Sequence, residues 1–220
     1  MSSHPLDELV HVVDRALPHV TVSTDASART TWVADVNAHV AAGADPLAPW
    51  RQALAARQGS EHRPHVAAAF VLQWWCEVVA TPLAYAAELA SVVIAPAPTG
   101  LGFELASGLY PSRIVLRPGH VVVKPANHSR EAALEASSAA YRQLVTAVVR
   151  DYAPEVKMSS RQRWGVVADV WATAVRGAAG AGGRAVEPAR RTSCCFIVAL
   201  PGMQACASCP RLGQPDSGSR

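Results

Sequence analysis

The chain has 220 residues, of which 50% are hydrophobic and 17% are charged, a composition that predicts one substantial folded core and excludes a disordered protein. The net charge of +3 is uneven: residues 184–220 contain five arginines and two acidic residues, whereas residues 1–183 contain fifteen basic and fifteen acidic residues. No basic run alternates with aromatic residues, so nucleic-acid binding is not predicted.

Helical periodicity and capping residues predict most of the chain to be α-helical. A first helix carries Leu6 to Leu17, and a second carries Trp32 to Val40 and ends at Gly43. Residues 95–112 are rich in proline and glycine and are interpreted as a loop. The other predicted helices cover about residues 49–58, 65–79, 82–94, 129–150 and 160–176.

Residues 65–95 are long enough to cross a bilayer, but they contain Gln73, Glu77 and Glu88. Because a carboxylate at mid-membrane costs about 2.5–3.5 kcal/mol, the stretch is interpreted as two buried helices, with Thr81 as an N-cap and Pro82 at the first helical position. The N-terminus lacks the pattern of a secretory signal, so a cytoplasmic location is expected.

The stretch SRIVLRPGHVVVKP, residues 112–125, contains two β-branched runs around a Pro-Gly turn and predicts a β-hairpin. In that pairing one face collects four basic side chains, Arg113, Arg117, His120 and Lys124. Two interpretations stay open for this face: a solvated outer surface, or part of a site for an acidic ligand such as an anionic substrate.

The predicted fold class is therefore α+β, a mostly α-helical body with a central β-hairpin and a C-terminal cysteine-rich tail. The body covers residues 1–176, with the hairpin at about 112–124. The run GAAGAGG at 177–183 is interpreted as a flexible linker. Residues 184–220 form the C-terminal cysteine-containing segment, which is expected to dock back onto the body.

Four of the five cysteines lie near the C-terminus, as an adjacent pair and a C-x-x-C pair: Cys194, Cys195, Cys206 and Cys209. A turn at Pro201-Gly202 would bring the two pairs together, with Cys194 opposite Cys209. Adjacent residues of a regular strand point to opposite faces, so irregular backbone is expected at the double cysteine. Cys76 lies in a predicted buried helix and is interpreted as a core residue.

Three chemistries fit four clustered thiols in a reducing compartment. A [2Fe–2S] cluster has two irons that each take two ligands, so its thiolates can come from separated directions. A zinc ion requires four thiolates at tetrahedral corners, and the adjacent pair suits that geometry poorly. A disulfide switch between neighbouring cysteines would be strained.

The spacing C-C-x10-C-x2-C, together with RRTSCCFIVALPG and CASCP, resembles the C-terminal signature of the FhuF-type ferric siderophore reductases. The resemblance covers about twenty residues, with weaker similarity around LQWWCEVVATPLA in the body. It implies that the four C-terminal cysteines hold a [2Fe–2S] cluster, and that the protein reduces Fe(III) bound to a siderophore. It also implies a ferredoxin or flavoprotein as electron donor and allows peripheral association with the inner membrane.

The sequence leaves two other functions open, a structural zinc knuckle on a helical binding protein and an iron–sulfur sensor or electron carrier without a siderophore substrate. Four arginines lie near the cysteines in sequence, Arg184, Arg190, Arg191 and Arg211. If they face a cluster, their charge stabilises its reduced form, because reduction makes an anionic cluster more negative.

Overall fold

The computed structural model of the chain describes residues 5–96, 100–125, 129–210 and 212. It is 53% helical and 12% strand, which confirms the predicted α+β class with a helical body. The helices are α1 Pro5–Ala16, α2 Val33–Ala41, α3 Ala48–Gln58, α4 Pro64–Ala90, α5 Arg130–Asp151 and α6 Ser160–Ala181. The strands are β1 Thr21–Ser23, β2 Thr31–Trp32, β3 Val92–Pro96, β4 Leu101–Leu105, β5 Pro111–Leu116 and β6 Val121–Pro125.

Helix α4 is the central element, and 18 of its 27 residues are buried. The sequence predicted two helices divided at Thr81-Pro82, which is wrong, because α4 continues through Pro82 to Ala90. An internal proline costs about 3 kcal/mol. Helix-forming alanine and leucine neighbours and burial on several sides offset that cost. The helix ends where Ser91 adopts a left-handed φ of 53°, and the next residues form β3 rather than helix.

By length and composition α4 is the one helix of the described residues that could cross a membrane. In the structure 72% of its most apolar 18-residue window is buried inside the protein. Helices α5 and α6 pack along it, and Tyr152, just after α5, donates a hydrogen bond from its hydroxyl to the Ala68 carbonyl at 2.9 Å. These contacts are those of a core helix, so the sequence-based interpretation of this stretch as buried agrees with the packing.

The strands form two small sheets, ordered β1-β5-β4-β2 and β3-β6. The predicted hairpin is wrong in its pairing, although both strands and the turn exist: His120 N–H donates to the Arg117 carbonyl at 3.1 Å. Strand β4, in the stretch interpreted as a loop, takes the edge of β5 instead. Gly100 permits this, because a Cβ there would lie 2.1 Å from the His120 carbonyl oxygen.

Because β5 and β6 belong to different sheets, the predicted cationic hairpin face does not form. Arg113 lies 3.9 Å from Glu104 and donates to the Ser23 hydroxyl at 2.8 Å. The Arg117 guanidinium stacks 4.0 Å from the Trp32 ring centre. Lys124 is in β6, opposite Val93 of β3. His120 lies in the turn. The four basic residues therefore do not share the one face that suggested a site for an acidic ligand.

Most of the predicted linker at 177–183 is helical, because α6 continues to Ala181. The alanines of GAAGAGG favour helix, and the helix packs along α4. Gly177 is needed there, since a Cβ would lie 2.8 Å from the Tyr85 hydroxyl. Only Gly182 and Gly183 end the helix, Gly183 with a φ of 77°. The segment after them therefore starts from a rigid helix end.

Candidate metal centre

The four C-terminal cysteines lie in a segment that packs against the N-terminal ends of α4 and α6. Cys194, Cys195 and Cys209 are at most 9% exposed, whereas Cys206 is half-buried. Burial raises the pKa of the Cys206 thiol, and the neighbouring Cys195 and Cys209 raise it further. Cys206 therefore lies close to Cys195 of the adjacent pair as well as to Cys209.

The backbone around the cysteines is irregular, as expected for the double cysteine. Phe196, directly after Cys195, has a left-handed φ of 60°, and a single 3-10 turn follows at Ile197–Ala199. The chain then reverses at Pro201-Gly202, where Gly202 has a φ of 73°. The reversal brings the Arg191 N–H to the Ser208 carbonyl at 2.9 Å, so the predicted turn exists without a regular hairpin.

A buried carboxylate, Asp169 of α6, holds the chain immediately before the cysteines. It accepts hydrogen bonds from the backbone N–H of Thr192, at 2.8 Å, and from that of Ser193, at 2.7 Å. It also accepts from the hydroxyls of both residues, at 2.9 Å and 2.5 Å. Asp169 is 7% exposed. Hydrogen bonds to a charged acceptor are among the stronger ones in proteins, so this carboxylate fixes where the adjacent cysteine pair begins.

Further contacts from α6 and α4 hold the rest of the segment. Gln162 donates from its side-chain amide to the Cys194 carbonyl at 2.7 Å. Arg63 donates to the Ala199 carbonyl, and His65 packs edge-on against Phe196 with ring centres 5.1 Å apart. Arg63 and His65 begin α4, and Gln162 lies in the first turn of α6. Two helix N-termini therefore face the cysteine segment, and their positive dipole ends favour an anionic group there.

Glycine at position 165 lets the cysteine segment approach α6 closely. A Cβ at Gly165 would lie 3.2 Å from the Ser193 Cβ. Gln162, Gly165 and Asp169 recur at three- and four-residue spacing and so share one face of α6. That face is the docking surface for residues 192–195.

Replacing Gly165 by valine is therefore expected to push residues 192–195 off α6. The prediction is that Gly165→Val keeps the helical circular dichroism of the body but loses most of the bound iron after anaerobic reconstitution. Gly180→Val is a matched control near the other end of the same helix, where the nearest atom to a Cβ is a flexible Val186 methyl at 3.7 Å. Equal iron content in the two variants would contradict the prediction.

The segment supplies four thiols, which is the number that a [2Fe–2S] cluster takes, two for each iron. Among the described residues, which include all four cysteines, no group of three His, Cys, Asp or Glu side chains is placed to hold a single metal ion. The Phe196 N–H also donates to the Cys194 sulfur at 3.3 Å, a contact of the kind that tunes iron–sulfur centres.

Cys76 stands apart from this group. It is fully buried in the middle of α4, and burial raises the pKa of its thiol to about 12. Such a thiol stays protonated at neutral pH, and the thiolate is the form that binds metal. The interpretation of Cys76 as a small core residue agrees with this environment.

The arginines near the cysteines in sequence have different surroundings. Arg184 pairs with Glu88, and Arg190 donates to the Leu212 carbonyl at 2.6 Å. Arg191 is 12% exposed and lies 3.8 Å from Asp169, and its Nε and Nη2 atoms have no hydrogen-bond partner in the described structure. Arg211 lies outside the described residues. Of the three that are described, Arg191 is the buried cation of the cysteine segment.

Removing the Arg191 charge is expected to lower the midpoint potential of a bound cluster. A buried cation stabilises the more negative, reduced state, and a shift on the order of 50 mV corresponds to about a tenfold change in a one-electron equilibrium. The measurement is a redox titration of Arg191→Gln beside Arg190→Gln, whose guanidinium is on the surface. Equal midpoint potentials in the two variants would show that the Arg191 charge does not stabilise the reduced cluster.

Sequence reasoning missed Asp169, Gln162 and Gly165. One signal was present for Asp169: it is the only charged residue between Arg163 and Arg176, in a run that is otherwise mainly apolar. A lone carboxylate on a buried helix face needs partners, because an unpaired buried charge is costly. What the sequence could not show is that the partners come from Thr192 and Ser193.

Comparison with known proteins gives one match. Residues 191–211 match the family described as the FhuF 2Fe-2S C-terminal domain. The match starts at Arg191 and includes all four clustered cysteines, and it confirms the resemblance and the [2Fe–2S] cofactor expected from it. It covers about a tenth of the chain, and the helical body lies outside it. No curated protein and no solved structure gives a significant match.

Proposed function

We propose that the protein is a ferric siderophore reductase, which transfers one electron at a time to siderophore-bound Fe(III). The observation that carries the proposal is that the segment containing Cys194, Cys195, Cys206 and Cys209 matches a 2Fe-2S family. The four cysteines are the proposed cluster ligands. A [2Fe–2S] cluster held by them supplies a site that accepts and releases single electrons.

The residues around the cysteines would hold the ligands in place and keep water away from three of them. Asp169 and Gln162 fix the backbone on both sides of Ser193, and Phe196 covers the adjacent pair from the direction of His65. Rigid ligands limit the rearrangement that accompanies a change of charge. Cys206, the half-buried ligand, marks the edge through which electrons would enter and leave.

The substrate would approach this open edge rather than enter a deep pocket. A cavity of about 520 Å³ does exist between α4, α6 and β5, lined by residues such as Trp74, Glu77 and Tyr110, but no cysteine lines it. Hard oxygen ligands prefer Fe(III), so reduction to Fe(II) weakens the siderophore's hold on the metal. Electron transfer alone therefore releases the iron, and no acid–base residue is needed. We place this reaction in the cytoplasm, with a ferredoxin or flavoprotein as donor.

The test is anaerobic mixing of the dithionite-reduced protein, freed of excess dithionite, with ferric siderophores of the hydroxamate and catecholate classes. Trapping the product with a ferrous chelator should show one Fe(II) formed for each protein oxidised, at a rate that exceeds that of reductant-free controls. Oxidation by ferricyanide without any reaction with the siderophores would instead indicate an electron carrier or sensor. A colourless, zinc-containing protein would indicate the structural zinc knuckle.

A further inference from the structure

We propose that the loop between the two cysteine pairs, residues 196–203, is the docking surface for an acidic one-electron carrier protein. This inference rests on the proposed electron-transfer function and adds the surface through which electrons enter. The loop, FIVALPGM, is called the inter-cysteine loop below. It joins Cys195 to the segment that leads to Cys206, so a partner seated on it lies next to the ligands.

The inter-cysteine loop is apolar, and half of its residues are exposed. No charged side chain occurs from Thr192 to Pro210, a run of nineteen residues. Within it Val198 is 41% exposed and Met203 is 46% exposed, and Pro201 and Gly202 between them are exposed as well. Large exposed apolar side chains that lie close together mark interaction sites, and methionine is common on surfaces that bind partners.

The positive charge around the inter-cysteine loop favours an acidic partner. Arg190, whose side chain is exposed, precedes the uncharged run, and the sequence from residue 184 onward carries the protein's whole net charge of +3. Arg63 adds an exposed cation that contacts the loop directly, at the Ala199 carbonyl. An apolar centre with a cationic rim is complementary to a partner with an acidic rim, and the opposite charges speed encounter.

Accessibility of the ligands points to the same edge. Three of the four cysteines are at most 9% exposed, and the half-buried one, Cys206, follows Met203 by three residues. A carrier that covers Val198 and Met203 would therefore meet the least shielded sulfur. In this step the carrier would lose one electron and be oxidised, and a cluster held by the four cysteines would gain that electron and be reduced, without transfer of a proton.

The experiment measures the second-order rate constant at which a reduced plant-type ferredoxin, used as an acidic carrier, reduces the full-length holoprotein in stopped flow. The variants Val198→Asp and Met203→Glu place a negative charge on the docking surface, and each is expected to lower the rate at least about tenfold. Val198→Lys should keep or raise the rate. Val12→Asp, on α1, is the matched control, because Val12 is 43% exposed.

Dithionite, a small reductant, should reduce all these variants equally, which separates docking from damage to the cluster. The wild-type rate with ferredoxin should fall as salt is added, whereas the rate at which a basic c-type cytochrome oxidises the reduced protein should not fall. The proposal is overturned if Val198→Asp and Met203→Glu react with ferredoxin as fast as Val12→Asp does, or if ferredoxin does not reduce the wild type. The assay contains no siderophore, so its result can be interpreted even if the protein does not reduce siderophores.

Discussion

Replacing any one of the four clustered cysteines by serine is expected to abolish stable [2Fe–2S] binding. Each iron takes two thiolates, so loss of one ligand leaves an iron with incomplete sulfur coordination. Cys206→Ser is the sharpest case, because Cys206 is half-buried and its replacement disturbs little of the core. Iron and inorganic sulfide, measured after anaerobic reconstitution, should fall below about a tenth of the wild-type content.

Cys76→Ala is the control for this series. Its thiol is buried in α4 and protonated, so the variant should keep the full iron and sulfide content. It should lose about 1 kcal/mol of unfolding free energy through a small cavity. Retention of the cluster in Cys206→Ser, or its loss in Cys76→Ala while the protein stays folded, would contradict the proposed ligand set.

Replacing Asp169 by asparagine is expected to detach the cysteine segment from α6 while the body stays folded. Asparagine has the same shape, but its amide group turns one acceptor oxygen into a donor. The donors of Thr192 and Ser193 that face it would lose partners, at about 1–3 kcal/mol for each buried group left unsatisfied. Asp169→Asn should therefore bind several-fold less iron than the wild type under the same conditions.

Two controls identify the cause of that loss. Asp151→Asn removes a carboxylate that pairs with Arg150 on the surface of α5, and it should bind iron normally. Thr192→Val removes one of the hydroxyl donors to Asp169 but keeps the backbone N–H bond, so its iron content should lie between those of the wild type and Asp169→Asn. Normal iron content and an unchanged midpoint potential in Asp169→Asn would show that the carboxylate does not position the ligands.

Local patterns predicted the helices well, because their signals lie within the elements themselves. The helix predicted at 129–150 is α5, and Ser129 caps it by accepting from the Ala132 N–H at 3.0 Å. Gly59 ends α3 with a φ of 57° just after the predicted end at Gln58. Pro82 misled the prediction because a proline signal is local, whereas the burial that keeps α4 continuous comes from distant parts of the chain.

The sheet could not be predicted in the same way, because strand pairing is non-local. Val115 and its neighbours were correctly predicted to form a strand, but the strands that pair with them are β4 and β1. Strand β1 lies about ninety residues away in sequence. Gly100 lies too close to the His120 carbonyl for any side chain, but this contact appears only in the folded chain. A short strand such as β1, three residues long, has no periodicity to detect.

The candidate site was likewise predictable from the sequence only in part. Cysteine identity and spacing left three chemistries open, and the resemblance to the FhuF-type signature implied the [2Fe–2S] cluster, which the family match at residues 191–211 confirms. The support for those cysteines was not predictable, because Arg63 lies 136 residues from its partner Ala199, and Asp169 lies 24 residues from its partner Ser193. Their roles follow only from the contacts of the folded chain.

The most direct test of the account is the metal and sulfide content of the full-length protein, isolated and reconstituted without oxygen. The account predicts two irons and two inorganic sulfides for each chain, and one electron taken up per pair of irons on reduction. A protein that binds one zinc, or that binds iron without inorganic sulfide, would contradict it.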